Sequence, residues 1–378
     1  MEAPLSPEIA EPGTSSRGLF SVLDEDGRTD PALDPKLEIA LVRRIYEAML
    51  RTRLIDARML KLQRQGRIGF HVGSEGEEAA IIASAAALRD RDWIFPCYRE
   101  VGAALYRGLP LQVYLDNMYG NANDVAQGRQ MPDHVSARGV CFASITSPIG
   151  TQITQAVGFA WAAKLKREAI VTASYFGDGG TSSNDFHAGM NFAAVFRVPT
   201  LFLLRNNGWA ISVPTELQSR SRTYADKGSA YGVPGVRCDG NDALAVYAVT
   251  HAAVQRALRG DGPTLIELVT YRAGAHSSSD DPSVYRDARA PLEQERHDPL
   301  RRLRAYLERQ RAWSAGEQHA LEERVQSELS ACIERAESAA APSVASMFED
   351  VFEELPAQLR EQQAQCVNGP RARRHEVR

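Results

Sequence analysis

The chain has 378 residues, 44% of them hydrophobic and 24% charged, a balance that suits a soluble globular protein with one large α/β domain plus appendages or two modest domains. A net charge of −4 argues against nucleic acid or an anionic membrane as a partner, and no apolar run is long enough to span a membrane; the richest, residues 79–88, is short and Ala-heavy. Five scattered cysteines (Cys97, Cys141, Cys238, Cys332 and Cys366) form no C-x-x-C pair, which argues against zinc and dithiol chemistry and for reduced thiols.

Residues 1–35 are rich in Pro, Ser, Gly and acids and are expected to form a flexible N-terminal arm or extended strap. They lack the apolar segment of a secretory leader, and Glu2, Glu8, Glu11, Asp24, Glu25 and Asp26 do not suit a transit peptide, so a cytoplasmic protein is expected. A helix is predicted from Lys36 to Gln65, with Leu41, Ile45, Met49 and Leu50 as its apolar stripe. Gly66 to Gly76 is a glycine-punctuated loop. Glu75, Glu77 and Glu78 then open an Ala-rich helix running to Leu88, where acids in the first turn complement the helix dipole. Ser147-Pro148 has the form of a helix start, a capping Ser before a proline, for a helix through Ile153, Val157 and Trp161 to Lys166.

The stretch that follows carries the most information. Ala169 to Phe176 has the pattern of a buried strand, Gly177-Asp178-Gly179-Gly180 turns the chain, Ser182 to Phe196 is predicted helical, and Val198 to Leu204 is a second strand ending at Arg205-Asn206-Asn207-Gly208. This is a βαβ unit, so parallel strands with a right-handed crossover are expected. A further round follows: a short strand at Val236 to Cys238, a helix capped by Asn241, a strand at Thr264 to Thr270, and a polar loop from Gly274 to Arg286. The alternation implies a doubly wound, mostly parallel sheet flanked by helices. Asp298-Pro299 starts a charged helix, and Ser314 with Glu317 forms a capping box for the next. The expected organisation is an arm (1–35), an α/β domain (36–298), a C-terminal helical region (299–365) and a tail (366–378).

Ligands of open α/β sheets bind at the carboxyl ends of strands. Asp178 and Asn207 both fall there, and the 26 residues between Gly179 and Asn206 suffice for one helix and one strand, which brings the two side by side. Asp and Asn supply hard oxygen ligands, and Mg²⁺ takes few such ligands and completes its octahedron with water and phosphate oxygens. The glycines admit backbone N–H groups to a phosphate, aided by the start of the following helix. Gly-Asp-Gly and Asn-Asn-Gly are each common turns alone; their placement at opposite ends of one crossover is what makes a magnesium-diphosphate grip of them.

The pattern Gly177-Asp178-Gly179, 26 residues, then Asn206-Asn207 resembles the thiamin diphosphate motif. Its surroundings, Tyr175 to Gly180 and Arg205 to Ser212, resemble alpha subunits of the branched-chain 2-oxo acid dehydrogenase complex, and the likeness extends from about Arg51 to Gln362. It takes in Ser147-Pro148 with Thr151-Gln152, Asp239 to Asp242, Thr270-Tyr271-Arg272, His276-Ser277 with Ser279-Asp280-Asp281, and Pro356 to Arg360.

The resemblance implies a thiamin-diphosphate-binding fold and roles for particular residues. Mg²⁺ would be held by Asp178, Asn207 and the main-chain carbonyl of Trp209, and the diphosphate by Tyr98, Arg99 and Arg205 together with Gly177, Gly179 and Gly180. The residue before Tyr98 is often Gln in relatives; here it is Cys97. Ser147 and Ile149 would line the cofactor, although from sequence alone Ile149 is simply a core residue. Thr146, Pro148, Thr151 and Gln152 match a potassium site of some relatives, with Thr146 replacing a Ser. His276 matches a catalytic histidine, and a proton-transfer role suits a loop at a strand's carboxyl end. Arg272 lies near enough to buttress that loop or the phosphates, and Ser277 matches a position phosphorylated in mitochondrial relatives. Phe70 and His71 fall where relatives line the acyl pocket; His134 carries no assigned role, and His187 suits packing.

The activity so implied is oxidative decarboxylation of a branched-chain 2-oxo acid and transfer of its acyl group to a lipoyl arm of the acyltransferase component. In two-chain relatives the cofactor-activating Glu belongs to the beta subunit, so an alpha2-beta2 heterotetramer is expected. Three alternatives stay open: a pyruvate or acetoin type of the same enzyme, a non-catalytic scaffold chain, which intact Asp178, Asn207 and His276 argue against, and a nucleotide-binding oxidoreductase, for which no convincing G-x-G-x-x-G turn exists.

Overall fold

Side chains at alternate positions along the strands enter two separate hydrophobic clusters, and this divides the molecule into layers. The computed structural model describes residues 18–287 and 295–369. Its main sheet contains Trp93–Phe95 (β1), Thr172–Gly177 (β2), Thr200–Asn206 (β3), Gly235–Asp239 (β6) and Thr264–Val269 (β7), in the order β1-β2-β3-β7-β6 and parallel throughout. Trp209–Ala210 (β4) and Val213–Pro214 (β5) form a small antiparallel hairpin beyond β3. The expected α/β class with a parallel sheet is therefore observed.

Along β3, Leu201 and Leu203 join the larger cluster, and Phe202 and Leu204 the smaller one. Both faces of the strand are covered, which is why it reads as an unbroken apolar run. The larger cluster takes in Ile39–Arg64 (α1), Glu78–Ala87 (α2) and Ala243–Leu258 (α7); the smaller takes in Thr151–Leu165 (α5) and Asn184–Val195 (α6). Val101–Tyr106 (α3) and Leu111–Tyr119 (α4) lie between β1 and the middle of the chain. At the C-terminal end, Pro299–Arg309 (α8) packs on α1 and α2, Ala315–Ser338 (α9) packs on α1 and α4, and Ala357–Asn368 (α10) follows. Asp298 caps α8 and Ser314 caps α9; Ser314 Oγ accepts from Glu317 N at 3.3 Å and donates to its carboxylate at 2.8 Å, so the predicted Ser–Glu pair meets at the helix start.

Two helix starts differ from expectation. The helix expected at Ser147-Pro148 begins at Thr151, because Ser147 pairs with His134 instead of capping and Gly150, at φ 96°, makes the turn. A Cβ at position 150 would come within 2.2 Å of Ser183 Oγ, so the close approach of α5 and α6 also requires glycine. The helix expected to be capped by Asn241 is capped by Asp242, which accepts from Leu244 and Ala245, while the Asn241 amide donates to Gly76 O at 2.9 Å.

Residues 18–35 lie on the sheet edge. Phe20 bridges Cys238 of β6, and Asp242 accepts from Val22 N and Leu23 N, each at 2.6 Å. Residues 1–17 of the expected arm and 370–378 of the expected tail lie outside the described residues. No helix among the described residues is long and apolar enough to cross a membrane.

Candidate active site at the carboxyl ends of the strands

The register of β2 and β3 pairs Gly177 with Arg205, so the residues next in line, Asp178 and then Asn206-Asn207, emerge from neighbouring strand ends. Asp178 opens a 3-10 turn to Ser182, and α6 starts only at Asn184 with Ser183 as its cap. The expected helix start is thus displaced, and the turn approaches the site through its own backbone. Gly179 is required there, since a Cβ would meet Ala210 Cβ at 2.8 Å. Asp178 Oδ2 accepts from Gln218 Nε2 at 2.8 Å. Asn207 donates through Nδ2 to Glu77 at 2.6 Å and accepts through Oδ1 from Trp209 N at 3.1 Å. Asp178 is 1% exposed, and burial pushes its carboxyl up to about 6, against the hydrogen bond from Gln218.

These residues line a cleft of about 590 Å³. Its walls include every residue expected to hold the cofactor or to act in catalysis: Tyr98, Arg99, Ser147, Ile149, Gly177, Asp178, Gly179, Gly180, Arg205, Asn207, Trp209 and His276. Ile149, unlike a core residue, is 45% exposed on this wall. Phe70, Val72, Met131 and His134 supply apolar and aromatic surface, and Cys97 lies beside Tyr98, its thiol pushed up to about 12 by burial. The residues matched to a potassium site do not line the cleft. They sit behind it at the start of α5, where Thr146 Oγ1 and Gln152 Oε1 are buried without a hydrogen-bond partner.

Charge in the cleft is organised around one acid that sequence reasoning treated only as a helix-dipole partner. Glu77 is fully buried and accepts from Asn207, Arg205 and Thr270, with Arg99 Nε at 3.9 Å. Burial alone would raise its pKa, but Arg205 and then Arg99 hold it below the usual carboxylate range. Arg205 also pairs with the fully buried Glu100, while its Nε has no hydrogen-bond partner among the described residues.

His276 is half-buried in the loop after β7. Arg99 Nη2 lies 3.1 Å and Arg272 Nη1 3.2 Å from its Nδ1, and its ring meets Tyr98 edge-on at 5.8 Å. Burial, then Arg99 and Arg272, lower its pKa to about 4. Arg272 is held by Ile211 O and Tyr285 Oη, its Nε has no partner, and burial followed by Arg286 and Arg99 depresses its pKa. His134 donates from Nδ1 to Pro132 O at 3.0 Å, which leaves Nε2 to accept from Ser147 Oγ at 2.7 Å. His187 lies on α6 against Tyr231 and Phe186, apart from this cleft.

Arg99, Arg205 and Arg272 line this cleft, and hard oxygen ligands emerge at adjacent strand ends; such a lining suits a diphosphate with a divalent cation. Among the described residues no group of three His, Cys, Asp or Glu is arranged to hold a metal unaided. The donor set therefore fits an ion that takes part of its coordination from phosphate. Residues 46–345 match the dehydrogenase E1 component family. The chain is 42% identical over 349 residues to "2-oxoisovalerate dehydrogenase subunit alpha 2, mitochondrial" of Arabidopsis thaliana, covering 91% of this chain and 73% of that protein. It is 42% identical over 347 residues to "2-oxoisovalerate dehydrogenase subunit alpha, mitochondrial" of Bos taurus, covering 91% and 76%, and 40% identical over 366 residues to "2-oxoisovalerate dehydrogenase subunit alpha" of Pseudomonas aeruginosa, covering 95% and 89%. The chain belongs to the dehydrogenase E1 component family.

Proposed function

We propose that this chain is the thiamin-diphosphate-binding alpha subunit of a dehydrogenase that decarboxylates branched-chain 2-oxo acids and acylates a lipoyl group. The observation that carries this reading is the convergence of Asp178, Asn207, Tyr98, Arg99, Arg205 and His276 on one cleft. Mg²⁺ would be held by Asp178, Asn207 and the Trp209 carbonyl, and the diphosphate by Tyr98, Arg99 and Arg205 beside the glycine turn. Thiamin diphosphate, when bound, supplies the nucleophilic carbon and the electron sink for loss of carbon dioxide.

The chain's own residues orient, shield and manage protons. Arg99 and Arg272 present donors to an anion and at the same time hold His276 neutral. A guanidinium only donates, so His276 Nδ1 accepts and Nε2 keeps the proton that it can offer to the substrate or the lipoyl sulfur. Phe70, Val72 and Ile149 exclude water from the reacting end. Thr146 Oγ1 and Gln152 Oε1, both orphaned, support a potassium ion near Pro148 and Thr151. The likeness to chains named alpha subunits supports completion of the site by a beta subunit in an alpha2-beta2 heterotetramer, with the lipoyl acyltransferase as the next partner.

The test is decarboxylation by the chain coexpressed with its beta subunit. Turnover of 3-methyl-2-oxobutanoate that depends on thiamin diphosphate and Mg²⁺ is expected. A clear preference for pyruvate would overturn the branched-chain assignment, and full activity in Asp178→Ala would overturn the metal role.

A further inference from the structure

Phe70 and Val72 line the cofactor cleft, but His71 between them does not. Its ring lines a separate cavity of about 110 Å³, together with Arg53, Asp56, Glu75 and Arg272, and is 3% exposed. Nδ1 lies 3.1 Å from Asp133 Oδ2, and Nε2 lies 3.5 Å from Asp56 Oδ1 of α1. Each carboxylate is held by further donors. Asp133 accepts from the Tyr114 hydroxyl at 2.6 Å and from Val72 N at 2.7 Å. Asp56 accepts from Ser74 N at 2.7 Å and Ser74 Oγ at 2.8 Å. Neither acid makes an ion pair with Lys or Arg among the described residues. Among the described residues Nε2 makes no hydrogen bond, so the ring bonds Asp133 alone and faces Asp56 as a charge; an imidazolium, unlike a neutral ring, is attracted to both carboxylates.

The same segment holds the catalytic loop by its backbone. His71 N donates to Ser278 Oγ at 3.1 Å, and Ser278 N donates to His71 O at 2.9 Å. Two residues further along, Arg99 ties Gly73 O to His276 O, at 2.5 and 2.7 Å. We propose that His71, as an imidazolium clasped between Asp56 and Asp133, is a positioning residue that sets the 70–74 segment and, through it, the loop of His276. Its consequence for catalysis rests on the function proposed above.

The charged and titratable groups facing the ring are Asp56 from α1, Asp133 backed by Tyr114 of α4, Arg99, and Arg53, Glu75 and Arg272 around the cavity. Burial disfavours the charged ring, but Asp133 and then Asp56 raise its pKa above the ordinary imidazole value, with Arg99 opposing. A raised imidazole pKa stabilises the folded arrangement fully below the ordinary value and loses that contribution as pH rises through the folded one.

Hydrogen exchange of amides 273–280, corrected for intrinsic rates, tests this on the full chain between pH 6 and 10. Protection in the wild type is expected to fall as pH rises. In His71→Asn, which keeps a donor toward Asp133 but no charge, protection should be intermediate and independent of pH. In His71→Leu it should be lost at all pH while helical content stays unchanged. In the complex with the beta subunit, His71→Leu is expected to lower kcat by about 10²-fold with KM for the 2-oxo acid little altered, and His71→Asn to recover most of it. Wild-type protection that is flat with pH, or full protection in His71→Leu, overturns the clasp. Thiamin diphosphate binding is measured in parallel: its absence in the wild-type complex overturns the proposed function, whereas bound cofactor with unaltered loop exchange in His71→Leu overturns the clasp alone.

Discussion

Arg99 and His276 meet at two points: Nη2 of Arg99 donates to the His276 carbonyl at 2.7 Å and lies 3.1 Å from its Nδ1. The guanidinium therefore fixes both the loop backbone and the tautomer of the ring it carries.

With Arg272 Nη1 at 3.2 Å from the same nitrogen, His276 should be the Nε2–H tautomer and neutral from about one unit above its pKa of about 4. A lowered imidazole pKa means that the folded state binds fewer protons than the unfolded state. The contribution to stability is therefore present above the ordinary value near 6.5 and is lost as pH falls toward 4. Nitrogen NMR of the labelled imidazole checks this directly. Arg272→Met should raise the ring pKa toward the ordinary value, and a wild-type ring titrating near 6.5 would contradict the assignment.

Glu77 joins three elements of the cleft through Asn207, Arg205 and Thr270. Glu77→Ala leaves Arg205 with Glu100 alone and frees the Asn207 amide to rotate. Removing one member of a buried ionic network costs about 3–5 kcal/mol, and we expect a loss near the lower end because Glu100 remains. Urea unfolding measures that loss. Calorimetric titration with thiamin diphosphate and Mg²⁺ should show affinity at least about tenfold weaker, the equivalent of ~1.4 kcal/mol. An unchanged affinity would mean that Asn207 needs no such anchor.

The grip was legible in the sequence because its two halves sit at the ends of one βαβ unit, where strand period and chain length dictate proximity. Asp178 and Asn207 needed nothing else. Glu77 and Glu100 were not legible, since their roles arise from ion pairs with Arg205, more than 100 residues away in the chain, which leave no local pattern. Ser147 and Asn241 show the reverse failure. Each has the local chemistry of a helix cap, yet a tertiary partner takes it: His134 in one case, Gly76 in the other. Composition left residues 18–35 as a flexible arm or an extended strap; the second holds, with Val22 and Leu23 buried and bonded to Asp242 at the start of α7 and Leu23 O to Arg302 of α8.

Asp242 joins that strap to the sheet. It accepts from Val22 N and Leu23 N and caps α7 through Leu244 N at 3.0 Å and Ala245 N at 3.1 Å. Asp242→Ala removes the cap, at about 1 kcal/mol, and leaves two strap N–H groups unpaired, at about 1–3 kcal/mol each. The strap should detach before the domain unfolds. Trypsin should then cleave at Arg28 well ahead of any site in α7 in the variant, and not in the wild type. Simultaneous cleavage in both proteins would show that the strap contributes nothing separable.

Asp178 is placed against its own stability. Its carboxyl is 1% exposed, carries a hydrogen bond from Gln218 and, among the described residues, no ion pair, and has a pKa raised to about 6. A carboxylate whose folded pKa lies above its unfolded value favours the protonated folded state, so its contribution falls as pH rises from about 4 through 6. At pH 7 the buried charge costs about 3 kcal/mol relative to a neutral isostere. Asp178→Asn should therefore raise Tm by a few degrees above pH 6 and leave it unchanged near pH 4, while Mg²⁺-dependent binding of thiamin diphosphate falls by about 10²-fold. A more stable protein that has lost its metal-dependent affinity is the signature of a residue kept for its ligand. If Asp178→Asn were less stable at pH 7, the carboxylate would have a structural partner, and the grip at the strand ends would have to be assigned to Asn207 and the arginines alone.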